Sequence, residues 1–221
     1  MEGKSMIRLD IISDIACPWC YVGKAYLDRA LEARPDHPFA IEWHPFQLNP
    51  ELPRAGMDRR AYMEAKFGGK EGAVRAHLPL LEHAAAAGVE LNLERMTRQP
   101  NTLDAHRLIH WAGLEGRQTP MVSALFRAFW RDGRDLTDAE TLADVAAEAG
   151  LDRAMVHRLL GTDADAADIR ARDAHSRERG VNAVPAFIIA NRHVLQGAQP
   201  TEIWIRVIDD IARQLAAGEG Q

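Results

Sequence analysis

Cysteine is scarce in this chain, with two among 221 residues, which excludes the disulfide-stapled frameworks of small secreted domains. No segment approaches the roughly 18 consecutive apolar residues of a membrane span. The opening MEGKSMIRLDIIS likewise lacks the apolar run of a secretory signal. Positive charge is not in excess: 27 Lys and Arg stand against 32 Asp and Glu, and the net charge of -5 offers no general attraction to nucleic acid or anionic membranes. Internal repeats and low-complexity tracts are missing, as is a second cysteine pair to complete a four-ligand zinc site. What is there is a chain long enough to bury a core unaided, with 47% hydrophobic and 27% charged residues. This reads as a globular, cytoplasmic protein of one elaborated domain or two small ones.

Both cysteines fall in one stretch, DIACPWCYVGK, where Pro18 and Trp19 separate Cys17 from Cys20. The preceding IRLDIIS alternates Ile7, Leu9 and Ile11 with polar residues and reads as a largely buried strand. From Pro18 to about Ala33 the spacing of Tyr21, Val22, Ala25, Tyr26, Arg29 and Ala30 is helical, with proline suited to the first turn. PFAIEWHPF then reads as a second strand through Phe39, Ile41 and Trp43, so a right-handed crossover and parallel pairing are predicted. A cysteine at a strand's end and another one turn into a helix bring two thiols to one side, at a separation compatible with a disulfide. Free amides in the first turn, with the aligned peptide dipoles, favour a thiolate on Cys17 as the attacking sulfur. Cys20, further into the helix and toward its packed side, is placed to resolve a mixed disulfide.

From about Pro50 to Gly180 the spacing turns helical and no strand is evident. NTLDAHRLIHWAG and MVSALFRAFW are amphipathic helices, TDAE at Thr137–Glu140 has capping-box spacing ahead of a helix ending near Gly150, and further helices are predicted over 152–160 and 163–179. EAKFGGKEG reads as a loop. PAFIIA and HVLQGA are strands joined through Asn191 and Arg192 in a tight hairpin. A closing helix follows, with Ile203, Trp204, Val207, Ile208, Ile211 and Leu215 inward and the tail AAGEGQ frayed.

Taken together and in order, SDIACPWCYVGK, WHPFQLNP, NTLDAHRL, GVNAVPAFII and LQGAQP resemble the DsbA-like branch of the thioredoxin superfamily, especially its FrnE-like members, over nearly the whole chain. The resemblance implies an α/β, thioredoxin-like fold with a long all-helical insertion: thioredoxin parts at 1–50 and 166–221, the insertion at 51–165. It also implies a cis peptide between Val184 and Pro185 facing the dithiol, with Val184, Pro185, Pro18 and Trp19 meeting the substrate. Ala183 and Ala186 depart from a frequent glycine and a frequent aromatic residue, which widens the groove near Pro185. The implied activity is thiol-disulfide exchange through the CPWC dithiol, with no metal or organic cofactor, in a monomer or homodimer. Its implied partners are protein or small-molecule thiols and disulfides.

Asn101, Thr102, Ala105, His106 and Arg107 are similar to an N-[ST]-x-x-A-H-R segment of the related glutathione-using branch, the 2-hydroxychromene-2-carboxylate isomerases and kappa-class transferases. Those enzymes usually carry serine at the position of Cys17. A glutathione-dependent isomerase or transferase is therefore the alternative, and glutathione as a co-substrate stays open under both readings. A third reading, a holdase-like module, would use the helical block as a peptide surface.

The remaining candidates carry less chemistry. His106 and His110 are four apart but lack the Glu of an H-E-x-x-H metal motif. Asn101 reads as a helix cap at a possible active-site rim, which His106 and His44 could also approach, while Asp14 reads as a loop cap. KFGGKEG lacks the spacing of a phosphate loop. Phe126, Phe129, Trp130 and Trp204 fall at core positions.

Overall fold

The computed structural model describes residues 6–218. In chain order, β1 (Ile7–Ser13) leads into α1 (Pro18–Ala33) and β2 (Phe39–Pro45). There follow β3 (Met57–Asp58), α2 (Arg59–Phe67), α3 (Lys70–Ala87), β4 (Arg98–Gln99) and α4 (Leu103–Leu114). Next come α5 (Gln118–Phe126), continued by a π-helical turn at Arg127–Arg131, then α6 (Ala139–Glu148), α7 (Arg153–Leu160) and α8 (Ala166–Glu178). β5 (Ala186–Ile189), β6 (His193–Gln196) and α9 (Thr201–Gly218) close the chain.

One four-stranded sheet, ordered β2-β1-β5-β6, organises the molecule. β1 pairs parallel with β2, Ile7 opposite Phe39 through Ser13 opposite Pro45, and antiparallel with β5, Leu9 opposite Ile189. A strand in the middle of a covered sheet needs apolar residues on both faces, and β1 is buried from Leu9 onward. α1 is the crossover between the parallel pair and packs against α9. The outer edge of β2 is closed by a side chain: Gln118, at the start of α5, accepts from the Trp43 N–H at 2.8 Å and donates to its carbonyl at 3.1 Å. That edge therefore presents fewer free groups for pairing with another chain.

The helices between β2 and β5 pack an apolar interior continuous with the sheet. Phe126, Phe129, Trp130 and Trp204 are at most 1% exposed. Tyr21 of α1 stacks on Phe126 with ring centroids 5.1 Å apart, Trp204 packs edge-on to Phe187, and the Trp130 indole donates to the Ile15 carbonyl at 2.8 Å. Of the inward set predicted on α9, Trp204 and Ile208 are buried, while Ile203, Val207, Ile211 and Leu215 are half-buried.

Several local expectations are corrected. The stretch between β2 and β5 is not strandless, since β3 and β4 pair antiparallel, Met57 opposite Gln99. EAKFGGKEG is not a loop: it is the end of α2 and the start of α3, broken only at Gly68 (φ 69°) and Gly69 (φ 110°), conformations that glycine adopts without strain. The cap of α6 is Asp138, whose carboxylate accepts from the Thr141 amide at 3.0 Å, whereas the Thr137 hydroxyl is turned to Asp135. α8 starts at Ala166, after Asp165 in a left-handed conformation. The β5–β6 turn pivots on Ala190 (φ 52°) and Asn191 (φ 55°), with the Arg192 amide donating to the Ile189 carbonyl, one residue earlier than predicted. The last residues of the tail, 219–221, lie outside the described residues.

Candidate active site

At the end of β1 the chain turns through Asp14, Ile15 and Ala16, and the Cys17 amide donates to the Asp14 carbonyl at 3.0 Å. Cys17 is the extended residue that precedes α1, at φ -96° and ψ 112°, and Pro18 occupies the first turn. Its carbonyl accepts from the Cys20 amide at 3.1 Å, which fixes the two cysteines on one turn. Both thiols are free, and only 5% of Cys17 and 1% of Cys20 is exposed. The Cys17 thiol donates to the Val184 carbonyl at 3.6 Å, and the Val184–Pro185 peptide bond is cis. Burial pushes the Cys20 thiol well above its ordinary pKa and the adjacent Cys17 sulfur pushes it further, while the Ser13 hydroxyl and the Asp14 backbone pull it back. Pro18 and Trp19, between the cysteines, are half-buried.

Residues from distant elements hold this turn, and a local sequence pattern identifies few of them. Asp14 is fully buried, and its carboxylate accepts from the Ala16 amide at 3.3 Å and the Leu48 amide at 2.7 Å. Trp19 packs edge-on to His83 of α3 with ring centroids 5.3 Å apart, and His83 Nδ1 lies 3.1 Å from the Tyr26 hydroxyl. Gly23 allows α1 to approach the loop at Pro185: a Cβ there would lie 3.2 Å from Pro185 Cγ and 3.3 Å from Ala198 Cα. The one signal for Gly23 in the sequence is a glycine inside a helix, where alanine is favoured by about 1 kcal/mol. The Ser13 hydroxyl is buried and makes no hydrogen bond of ordinary geometry, yet it eases ionisation of the Cys20 thiol.

The other sequence candidates are placed as follows. His106 is 4% exposed and sits behind the turn rather than at its rim, with Nε2 3.3 Å from the Phe46 carbonyl and 3.5 Å from Asp14 Oδ1. His110 is turned elsewhere, to Arg172 at 3.3 Å, so the two imidazoles do not converge. Asn101 accepts from the Leu103 amide at 3.0 Å and from Gln47 at 2.8 Å, and donates to the Leu52 carbonyl at 2.7 Å. It ties the start of α4 to the segment after β2. His44 hydrogen-bonds to Asp10 at 2.7 Å rather than to either cysteine. Asp10, Glu42 and His44 bring metal-type donor atoms within 4.8 Å of one another. The Arg8 guanidinium already occupies that cluster, 2.6 Å from Asp10 and 3.1 Å from Glu42, and supplies the positive charge a cation would bring.

A strand, helix, strand unit completed by a hairpin and helix, with paired cysteines where the first helix begins and a helical segment inserted between, defines a thioredoxin-like fold of the DsbA kind. The chain belongs to the DSBA-like thioredoxin domain family, whose sequence profile matches residues 8–205. It is similar to the crystal structure of a probable DsbA oxidoreductase from Streptomyces coelicolor, 33% identical, with a TM-score of 0.81 over 92% of this chain and 89% of that one. The fold is shared with a 2-hydroxychromene-2-carboxylate isomerase, 17% identical, TM-score 0.72, covering 95% of this chain and 98% of that one. It is also shared with the cytosolic disulfide reductase DsbM from Pseudomonas aeruginosa with glutathione, 21% identical, TM-score 0.63, covering 93% and 99%. Among the described residues no helix is long and apolar enough to cross a membrane.

Proposed function

We propose that the protein is a cytoplasmic thiol-disulfide oxidoreductase in which Cys17 is the nucleophile and Cys20 the resolving thiol. The observation that carries this reading is the pair of free thiols held on one turn at the start of α1, with Cys17 against the Val184 carbonyl. In the reducing direction the Cys17 thiolate attacks one sulfur of a substrate disulfide, forming a Cys17–substrate bond and releasing the other sulfur as a thiolate. The Cys20 thiolate then attacks Cys17 and expels the second substrate thiolate. Two electrons have passed to the substrate, and a Cys17–Cys20 disulfide remains; the reverse sequence oxidises a dithiol. Val184 and Pro185 form the wall against which an extended substrate lies, with Pro18 and Trp19 on the opposite side. Because Cys17 is nearly enclosed, substrates that present a disulfide on a narrow, flexible segment are favoured over flat surfaces.

Glutathione is the small thiol this reading brings in, as source or acceptor of electrons, and the glutathione-bound disulfide reductase of the same fold supports it. The deciding measurement is equilibration in a glutathione redox buffer read by thiol alkylation, together with Cys20→Ser. The expected results are a reversible Cys17–Cys20 couple in the wild type, and in Cys20→Ser a trapped mixed disulfide on Cys17 with no dithiol turnover. Full activity of Cys20→Ser on a chromene-type substrate, with no redox couple in the wild type, would instead establish a glutathione-dependent isomerase.

A further inference from the structure

A helix laid on a sheet ordinarily covers it with an apolar stripe. α8 does not: along its length it buries only Ala166, Ile169 and Asp173. Arg172, His175, Ser176 and Arg179, spaced as one face of a helix, instead border a cavity of about 320 Å³ between α8 and the sheet. The sheet contributes Asp10 and Ile12 from β1, His44 from β2 and Ile188 from β5, with Arg8 at one margin and Val181 at another. That volume lies within the range of small-molecule sites.

The charge in this cavity is one-sided. Three guanidinium groups, those of Arg8, Arg172 and Arg179, and two imidazoles line it with one carboxylate, Asp10; Arg8 is also paired with Glu42 at 3.1 Å, so the surplus lies on Arg172 and Arg179. Asp10 is already satisfied by Arg8 at 2.6 Å and His44 at 2.7 Å. Among the described residues no carboxylate pairs with Arg172, His175 or Arg179; the polar neighbour of the Arg172 guanidinium is His110. Unpaired guanidinium groups present forked donors suited to carboxylate, sulfonate or phosphate oxygens. The floor is apolar: Ile12, Val181 and Ile188 belong to the small cluster that also seats Val184.

We propose that this cavity binds a small amphipathic anion, its oxyanion head on Arg172 and Arg179 and its apolar body on Ile12, Val181 and Ile188. The site is separate from the dithiol and does not depend on the redox reading. The probe is anilinonaphthalene sulfonate, compared with phenylnaphthylamine, which has the same apolar body without the sulfonate. The expected result is saturable binding of one sulfonate probe per chain, with methyl resonances of Ile12 and Ile188 shifted. The R172A/R179A variant should weaken it by tenfold or more, the neutral analogue should bind at least tenfold more weakly to the wild type, and Cys17→Ser should bind like the wild type. Should the double variant lose its fold, Arg179→Glu alone, at an exposed position, is expected to give a loss in the same direction. Equal affinity in the folded arginine variants, equal affinity for the neutral analogue, or absence of saturable binding would overturn the proposal.

Discussion

Replacing Ser13 with alanine isolates one of the two influences that ease ionisation of Cys20. Burial and the neighbouring Cys17 sulfur hold the Cys20 thiol well above its ordinary pKa, and only the Ser13 hydroxyl and the Asp14 backbone oppose them. A hydroxyl that turns to a charged group contributes at most about 1.5–3 kcal/mol, or about one to two pKa units, and because Ser13 makes no ordinary hydrogen bond in the resting site this is the ceiling for its effect on the Cys20 thiolate. Below its pKa, each unit cuts the thiolate fraction about tenfold, but the more basic thiolate is intrinsically more reactive, with a Brønsted coefficient of about 0.4–0.5. About half of the loss on a logarithmic scale is thereby recovered, and the resolving step should slow by up to roughly tenfold. An aromatic disulfide that releases a chromogenic thiolate separates the steps in stopped flow: a first equivalent appears when Cys17 attacks, a second when Cys20 resolves. Ser13→Ala should leave the first phase unchanged, slow the second, and move its pH profile to higher pH. Melting should not fall, because the hydroxyl makes no ordinary hydrogen bond to lose. A second phase with unaltered rate and pH profile in a folded variant would refute the reasoning.

Other consequences are open to direct measurement. The raised pKa of buried Cys20 means that the folded, reduced protein holds a proton the unfolded chain gives up above about pH 8.5. Stability of the reduced form should therefore be complete below that pH and fall above it by about 1.4 kcal/mol per pH unit for this one proton, a component that denaturant titration should find missing in Cys20→Ser. Gly23→Ala must shift Pro185 or Ala198, at 3.2–3.3 Å, by a few tenths of an ångström; the crowding costs about 1–3 kcal/mol against a helix gain of about 1 kcal/mol, so a net loss of up to about 2 kcal/mol is expected, with slower thiol exchange alongside the lowered melting temperature. Asp138→Ala should cost about 1 kcal/mol at neutral pH and Thr137→Ala much less. Hydrogen bonds from Thr141 hold the Asp138 pKa below its ordinary value, so its contribution is present above about pH 4 and lost as pH falls through the folded-state value, where the denaturation midpoint of Asp138→Ala should converge toward the wild type.

The parts of the molecule legible in the sequence are those whose cause is local. The alternation in IRLDIIS, the helical spacing after Pro18 and the two cysteines one turn apart each follow from a few neighbouring residues, and they lead to the central strand, the crossover and the dithiol. The pairing of β3 with β4 left no trace because two residues carry no periodicity. The pair Gly68–Gly69 has the local composition of a loop, although two glycines suffice to end one helix and begin another. At the β5–β6 turn, Ala190 takes a left-handed conformation unusual for a residue with a Cβ, so the composition there pointed one residue too far. The supports of the cysteine turn were hidden for a different reason: Leu48 on Asp14, His83 on Trp19 and Trp130 on Ile15 are meetings between distant segments. Only the tertiary arrangement brings them together.

The indole of Trp130 holding the Ile15 carbonyl bears on any attempt to shorten this protein. Splicing Pro45 directly to the segment before Val184 would preserve all four strands of the main sheet and both sulfurs, yet remove β3 and β4 and strip the cysteine turn of this brace. The excised miniature would keep the letters CPWC but surrender the rigidity that gives them a fixed posture. In this chain the helix that carries Trp130 helps to hold the cysteine turn, so a shortened chain is expected to lose that hold along with the helices.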